Sequence, residues 1–281
     1  MVSRDKLARM GQETLELLEQ GEYTSTNGRV VRIAELVAEA KHHTIHYTPD
    51  MFDDVLERRA ETLKTIPRHQ TVFEVRNCTT LAAARDLLNA TGDVDVYCLN
   101  FASAKNPGGG FLSGARAQEE SLARATGLYP CINQMQGMYL AGRECGTCLY
   151  TDHMIYSPKV PVIRDDEGNL LDAPYLISII TSPAVNSGAL MPTERSKIGS
   201  TMLARMEKVL SLAIVHHHHT LVLGAWGCGV FKNSPSDVAR WFYGYLIETP
   251  AFEGVFRKVV FAITDSSKEK RFIGPFEQQF S

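Results

Sequence analysis

From Gln70 onward the sequence repeats one alternation, a short run rich in β-branched and aromatic residues followed by a stretch with helical spacing. "QTVFEVRN" leads into "TTLAAARDLLNA", "VDVYCLNF" into "QEESLARATGLYPCINQM", and "TLVLGAW" into "SPSDVARWFYGYLIET", with "KVVFAITD" last. Between them, "HMIYSPKVPVIRDDEGNLLDAPYLISIITSP" reads as two extended runs joined by a turn at "DDEGN". In "ERSKIGSTMLARMEKVLSLAIVHH", Ile198, Met202, Met206, Val209 and Ala213 fall on one stripe, the mark of an amphipathic helix. Strands alternating with helices predict an α/β layer sandwich around a largely buried central sheet.

The first 66 residues follow a different pattern. "RDKLARMGQETLELLEQ", "RIAELVAEAKHH" and "TPDMFDDVLERRAETLKTI" read as three helices, with "GEYTSTNGRV" as a turn between the first two. The sequence therefore predicts a helical N-terminal extension over 1–66 and an α/β domain over 67–281, with the boundary at Pro67.

Composition narrows the partners. A chain of 281 residues, 44% hydrophobic, has ample material for a core, and a net charge of −3 excludes a field that attracts polyanions as a whole. An anionic ligand must be held by local groups, and sequence-specific nucleic-acid binding is not expected. No apolar run is long enough to span a bilayer, and the N-terminus is helical rather than secretory, so the expectation is a cytoplasmic protein without a membrane partner. The six cysteines do not form a disulfide framework and are expected reduced; "ECGTC" lacks a second pair or a spaced histidine for zinc. The tract His216 to His219 is internal, fits a strand or a loop, and has no accompanying ligand cluster.

Two glycine stretches stand where a strand gives way to a helix: "NPGGGFLSGARA" after "VDVYCLNF", and "GAWGCGVFKNSP" after "TLVL". In open α/β sheets ligands bind at the carboxyl ends of strands. Glycines let successive N–H groups converge on phosphate oxygens, and the following helix N-terminus adds its positive dipole end. Neither stretch is a Walker A or a Rossmann fingerprint. Together they are suited to a diphosphate, although each taken alone is also a plain tight turn.

Glu119 and Glu120 start the helix after the first stretch. Acidic residues favour a helix start for electrostatic reasons alone. Beside a diphosphate cradle, however, a partly desolvated carboxyl has a raised pKa, which suits a general acid near neutral pH. Adjacent helical residues lie about 100° apart and cannot act as the two facing carboxylates of an ordinary glycosidase. One glutamate must then serve as acid and base in turn while the other orients the sugar.

The string "LNFASAKNPGGGFLSGARAQEESLARATGLY" resembles the microbial branch of the poly(ADP-ribose) glycohydrolases, whose signature is three glycines, a short spacer and Gln-Glu-Glu. The likeness continues through "YSPKVPVIRDDEGNLLDAPYLISIITSPAVN" and "LVLGAWGCGVFKNSP". The resemblance implies a macrodomain-like three-layer α/β/α sandwich with a mixed central sheet, and a glycosidase that releases ADP-ribose from poly(ADP-ribose) or from other ADP-ribosylated macromolecules, without cofactor or metal. It assigns Gly108, Gly109 and Gly110 to a loop at the distal ribose and diphosphate, Glu120 to acid/base catalysis, Glu119 to the ribose hydroxyls and Gln118 to their support. Gly227, Cys228, Gly229 and Val230 would wrap the diphosphate, Phe231 would pack on the distal ribose, and Asn106 would contact ribose or hold the loop. The adenine contact has no motif; Glu74 to Asn77 is the expected region. The family implies mainly exo cleavage. A mono-ADP-ribosyl hydrolase and a non-catalytic ADP-ribose reader are the alternatives, and the intact glutamate pair speaks against the reader.

Overall fold

The computed structural model describes residues 2–91 and 96–280. The chain begins with α1 (Arg4–Gln20), β1 (Glu22–Thr24), β2 (Val30–Arg32), α2 (Ala34–His42), β3 (Ile45–Tyr47) and α3 (Phe52–Leu63). Next come β4 (Val72–Arg76), α4 (Thr80–Thr91), β5 (Tyr97–Phe101), α5 (Gln118–Ala125), α6 (Leu128–Asn133) and α7 (Gln136–Glu144). The last part holds β6 (Met154–Arg164), β7 (Leu170–Ser182), α8 (Ile198–Val215), β8 (Thr220–Leu223), α9 (Pro235–Tyr243), β9 (Lys258–Ala262) and α10 (Gly274–Phe280).

Seven strands form one sheet in the order β3, β6, β7, β5, β8, β9, β4. From β7 to β4 all neighbours are parallel, while β6 runs antiparallel to both β3 and β7. The expected mixed sheet between helical layers is thus present. Side-chain alternation along the strands feeds both faces. Tyr97, Leu99, Leu221, Val259 and Phe261 join the cluster under α8, α9 and α10, whereas Cys98, Val222 and Val260 join the one under α4, α5 and α6. Phe261 sits at the centre of the first cluster, with ring centroids 4.4 Å from Phe280, 5.2 Å from Phe276 and 5.6 Å from Phe242. Burying such a ring contributes about 1.5–3 kcal/mol.

The helix ends follow their local chemistry. Ser3 caps α1 by accepting the Lys6 N–H, and α1 stops at Gly21, whose left-handed φ of 74° lets its N–H return to the Leu17 carbonyl. Ser234 caps α9 by accepting from the Asp237 N–H, with Pro235 in the first turn, as the sequence predicts.

Several expectations are corrected. "GEYTSTNGRV" is the core of a hairpin, β1–β2, rather than a turn alone. The first 66 residues are not wholly helical, because β3 pairs with β6 at the edge of the main sheet. In the same stretch α3 packs on α8, with Arg59 Nη1 donating to Glu207 Oε1 and Ser211 Oγ, each at 2.9 Å. The helix expected over "QEESLARATGLYPCINQM" breaks into α5 and α6, since Thr126 bridges to Val162 and the Gly127 N–H donates to the Pro161 carbonyl at 2.8 Å. That long-range pairing outweighs local helix propensity. The sequence pattern predicts none of β3, α7 and α10. The first two residues of the expected strand "VDVYCLNF" lie outside the described residues.

Candidate active site

The strands β5 and β8 are adjacent and parallel, with Tyr97 opposite Leu221. Both glycine stretches consequently leave the same edge of the sheet. In the first, Gly108 and Gly109 have φ of 70° and 58°, a conformation that side chains rarely adopt. The turn closes through the Gly109 N–H to the Asn106 carbonyl at 3.0 Å and the Ala115 N–H to the Gly110 carbonyl at 3.2 Å. A Cβ on Gly109 would lie 2.4 Å from Glu120 Oε1, so only glycine lets the loop lie against the carboxylates.

Gln118 fastens the start of α5 to the end of β5. Its Oε1 accepts the Phe101 N–H at 2.9 Å, and its Nε2 donates to the Leu99 carbonyl at 2.8 Å and to Thr80 Oγ1 at 3.0 Å. Glu119 is buried behind it. Its Oε2 accepts the Ser103 N–H at 2.7 Å, while Oε1 lies 3.5 Å from Asn100 Nδ2, a long and weak contact. Burial, with the neighbouring Glu120 charge adding to it, pushes the Glu119 carboxyl up to about 8 against the lowering effect of these donors.

Glu120 differs. Its Oε1 accepts the Gly110 N–H at 2.9 Å, and its Oε2 is buried with no hydrogen-bond partner among the described residues. Arg124, one turn later, is buried with Nη1 on the Ala115 carbonyl at 2.8 Å; burial lowers its pKa and the Glu120 charge works the other way.

The second loop is held by Asn233, whose Nδ2 donates to the Val185 carbonyl at 2.7 Å and the Gly227 carbonyl at 3.2 Å. Gly227 has φ of 73°, and a Cβ there would meet Ala184 Cβ and Asn233 Nδ2 at 2.5 Å. Gly229 and Val230 are exposed, Val230 by 74%. Cys228 is buried, and burial pushes its thiol up to about 12, so this residue can offer a ligand its main chain but not a thiolate. The Phe231 ring rests 5.9 Å from the Tyr150 ring.

A cavity of about 970 Å³ joins the two loops. Asn106, Gly109, Gly110, Gln118, Glu119 and Glu120 line it from one side, and Gly227, Cys228, Gly229, Val230 and Phe231 from the other. Gly108 is packed beneath, where a Cβ would meet Phe111 at 2.9 Å and Tyr129 at 3.2 Å. Beyond β4 the lining begins at Cys78 and runs through Thr79, Thr80 and Leu81, not at Glu74 to Asn77; Glu74 is instead paired with Arg76 and Lys258.

Sequence reasoning missed three contributors. Asn100 and Ser103 reach Glu119 from the end of β5 and the loop after it, positions that carry no motif. The third is α1, from which Leu7 and Met10 line the cavity. Arg4 Nε donates to the Ser113 carbonyl at 2.7 Å, Arg116 Nη2 to the Val2 carbonyl, and Thr14 Oγ1 to the Arg124 carbonyl at 2.7 Å. The first helix and the residue pair before it thus hold the catalytic segment at Ser113, Arg116 and Arg124.

Elsewhere, the histidine tract is knitted into the fold. His216 Nε2 lies 2.8 Å from Tyr47 Oη, and His218 Nε2 lies 2.7 Å from Tyr156 Oη. Among the described residues no three His, Cys, Asp or Glu side chains are grouped as a metal site requires, and no helix is long and apolar enough to cross a membrane.

Residues 11–165 match the family model for the microbial-type poly(ADP-ribose) glycohydrolase catalytic domain. No curated protein matches the chain. Among solved structures, the poly(ADP-ribose) glycohydrolase of Thermomonospora curvata bound to the inhibitor ADP-HPD is 45% identical with a TM-score of 0.91, covering 98% of this chain and 100% of that one. The enzyme of Deinococcus radiodurans in complex with ADP-ribose is 42% identical with a TM-score of 0.81, covering 89% of this chain and 99% of that one.

Proposed function

The chain belongs to the microbial-type poly(ADP-ribose) glycohydrolase family, and we propose that Glu120 is the acid and then the base with which it cleaves its polymer. The enzyme is a glycosidase that hydrolyses the ribose–ribose bonds of poly(ADP-ribose) and releases ADP-ribose. The observation that carries the role of Glu120 is the unequal state of its two oxygens: Oε1 is held by the Gly110 N–H, and Oε2 is buried beside the cavity with no partner among the described residues.

In this reading Glu120 Oε2 gives its proton to the leaving ribose oxygen as the glycosidic bond breaks. The distal ribose becomes oxocarbenium-like, and the Glu120 carboxylate takes a proton from the water that attacks it. Glu119, pushed up to about 8, holds its proton at neutral pH. A neutral Glu119 adds no negative charge of its own beside the anionic ligand and can donate to a ribose hydroxyl.

The glycine loop at Gly108 to Gly110 and the main chain at Gly227, Cys228, Gly229 and Val230 hold the diphosphate, Phe231 packs on the distal ribose, and Asn106 flanks it. Gln118 holds the glutamates in place through the three hydrogen bonds that occupy its side chain. Residues 67–281 supply most of the catalytic macrodomain-like unit, to which β3 adds an edge strand and α3 packs on α8, while α1 supports the catalytic loop. The free cysteines support a cytoplasmic location, and the net charge of −3 speaks against sequence-specific nucleic-acid binding. Cleavage is exo. Product sizing during polymer digestion tests this: monomeric ADP-ribose from the first time points is expected, and early oligomers contradict it.

A further inference from the structure

The segment "ECGTCLY" between α7 and β6 has no part in the chemistry described above. Cys145 follows the last residue of α7, with its N–H on the Ala141 carbonyl at 3.0 Å. Its Sγ lies 3.2 Å from the Thr147 carbonyl oxygen, against the peptide that joins Thr147 to Cys148. Between them Gly146 turns the chain with φ of 68°, and its Cβ position faces open space. Both thiols are free and partly exposed.

We propose that Cys145 and Cys148 are a redox-active dithiol whose closure to a disulfide displaces Tyr150 from Phe231 and slows turnover.

Two routes connect the turn to the active site. The Cys148 carbonyl accepts the Asn186 N–H at 2.9 Å, and the next two residues grip Phe231: the Gly188 N–H and Ser187 Oγ donate to its carbonyl at 3.0 and 3.1 Å. The second route is direct, since the Tyr150 ring packs 5.9 Å from Phe231 while its hydroxyl accepts from Asn186 Nδ2 at 3.4 Å. The Leu149 carbonyl is pinned by buried Arg205 Nη2 at 3.0 Å. Drawing Cys148 toward Cys145 therefore concentrates the change at Tyr150, a non-glycine residue already at φ of 59°.

With a peroxide as oxidant the step balances. One thiolate attacks a peroxide oxygen, so that an S–O bond forms, the O–O bond breaks, and the leaving hydroxide takes up a proton as water. The second thiolate attacks that sulfur, forming S–S and breaking S–O, and a second water leaves. Two electrons pass from the sulfur pair to the peroxide, and an external dithiol reverses the change.

The inference rests on the placement of Phe231 at the distal ribose, so its test carries a readout besides turnover. The reduced full chain, its Cys145→Ser and its Cys148→Ser variants are treated with hydrogen peroxide and alkylated. Each is examined by peptide mass mapping, by polymer turnover and by ADP-ribose calorimetry, before and after dithiothreitol. Expected are a Cys145–Cys148 bond within one peptide, at least about tenfold slower turnover and weaker ADP-ribose binding, all reversed by dithiothreitol, with both serine variants unaffected by peroxide. Pairing of other cysteines, absence of the bond, an oxidised form that binds and turns over normally, or equal loss in the serine variants overturns the proposal. Should the reduced enzyme fail to cleave polymer, the mechanism above fails, while mapping and calorimetry still decide this one.

Discussion

The Gly110 N–H donates to Glu120 Oε1 at 2.9 Å, and a Cβ on the preceding residue, Gly109, would lie 2.4 Å from that same oxygen. The glycine loop therefore holds the carboxyl as well as admitting a ligand. Gly109→Ala, at φ of 58°, must move either the loop or Glu120. The expected result is a kcat lower by about 10²-fold, with destabilisation of only about 1–3 kcal/mol in urea unfolding. Unchanged kcat would show that the carboxyl does not depend on this contact.

Glu119 predicts a pH dependence of stability. Its folded pKa of about 8 lies above its ordinary 4.5. Between these values the folded protein keeps a proton that the unfolded chain releases, so the contribution of Glu119 to stability is fully present below 4.5 and is lost as pH rises to about 8. Glu119→Gln, which cannot ionise, should gain on the native protein in urea unfolding between about pH 5 and about pH 8.5. Parallel stability curves for the two proteins would mean that Glu119 ionises normally.

Two histidines, one buried and one half-buried, act in the opposite direction. Burial pushes His216 and His218 down to about 3 from 6.5, so the stability they contribute is present above 6.5 and lost as pH falls toward about 3. His218→Gln keeps a polar partner for the Tyr156 hydroxyl without a group that must charge. Its acid-unfolding midpoint, followed by circular dichroism, should fall below that of the native protein; a midpoint that stays or rises would contradict the assignment.

Packing of α1 on the catalytic segment gives a fourth prediction. Gly114, at φ of 76°, faces the Arg4 carbonyl, with only 2.1 Å left for a Cβ. Gly114→Ala should push α1 away and lower kcat several-fold, at a cost of about 1–3 kcal/mol in stability. Arg4→Ala, which removes only the hydrogen bond to Ser113, should cost about 0.5–1.5 kcal/mol. Steady-state kinetics beside thermal melting checks both; full activity in Gly114→Ala would show that α1 does not position the loop.

What the sequence revealed was whatever local chemistry writes directly. The caps at Ser234 and Pro235, the "DDEGN" turn and the alternation of β5, β8 and β9 follow from nearest neighbours. The convergence of the two glycine stretches followed from a topological rule, since parallel strands must deliver their carboxyl ends to one edge. The rest depends on distant partners. Three residues, Ile45–Tyr47, become a strand only because Met154 to Tyr156 offers them an edge. Gly127 ends α5 by way of Pro161, and Asn100 reaches Glu119 from 19 residues away in sequence. Gln118 was legible as part of a motif, but its use as a fastener of β5 was not.

The central claim is that Glu120 carries the proton transfers while the surrounding loops bind. Single-turnover cleavage of poly(ADP-ribose) by Glu120→Gln, with ADP-ribose calorimetry on the same preparation, tests this most directly. The expected result is a chemical step slower by about 10²–10⁴-fold, with ADP-ribose affinity largely retained. Cleavage at the native rate would contradict the account.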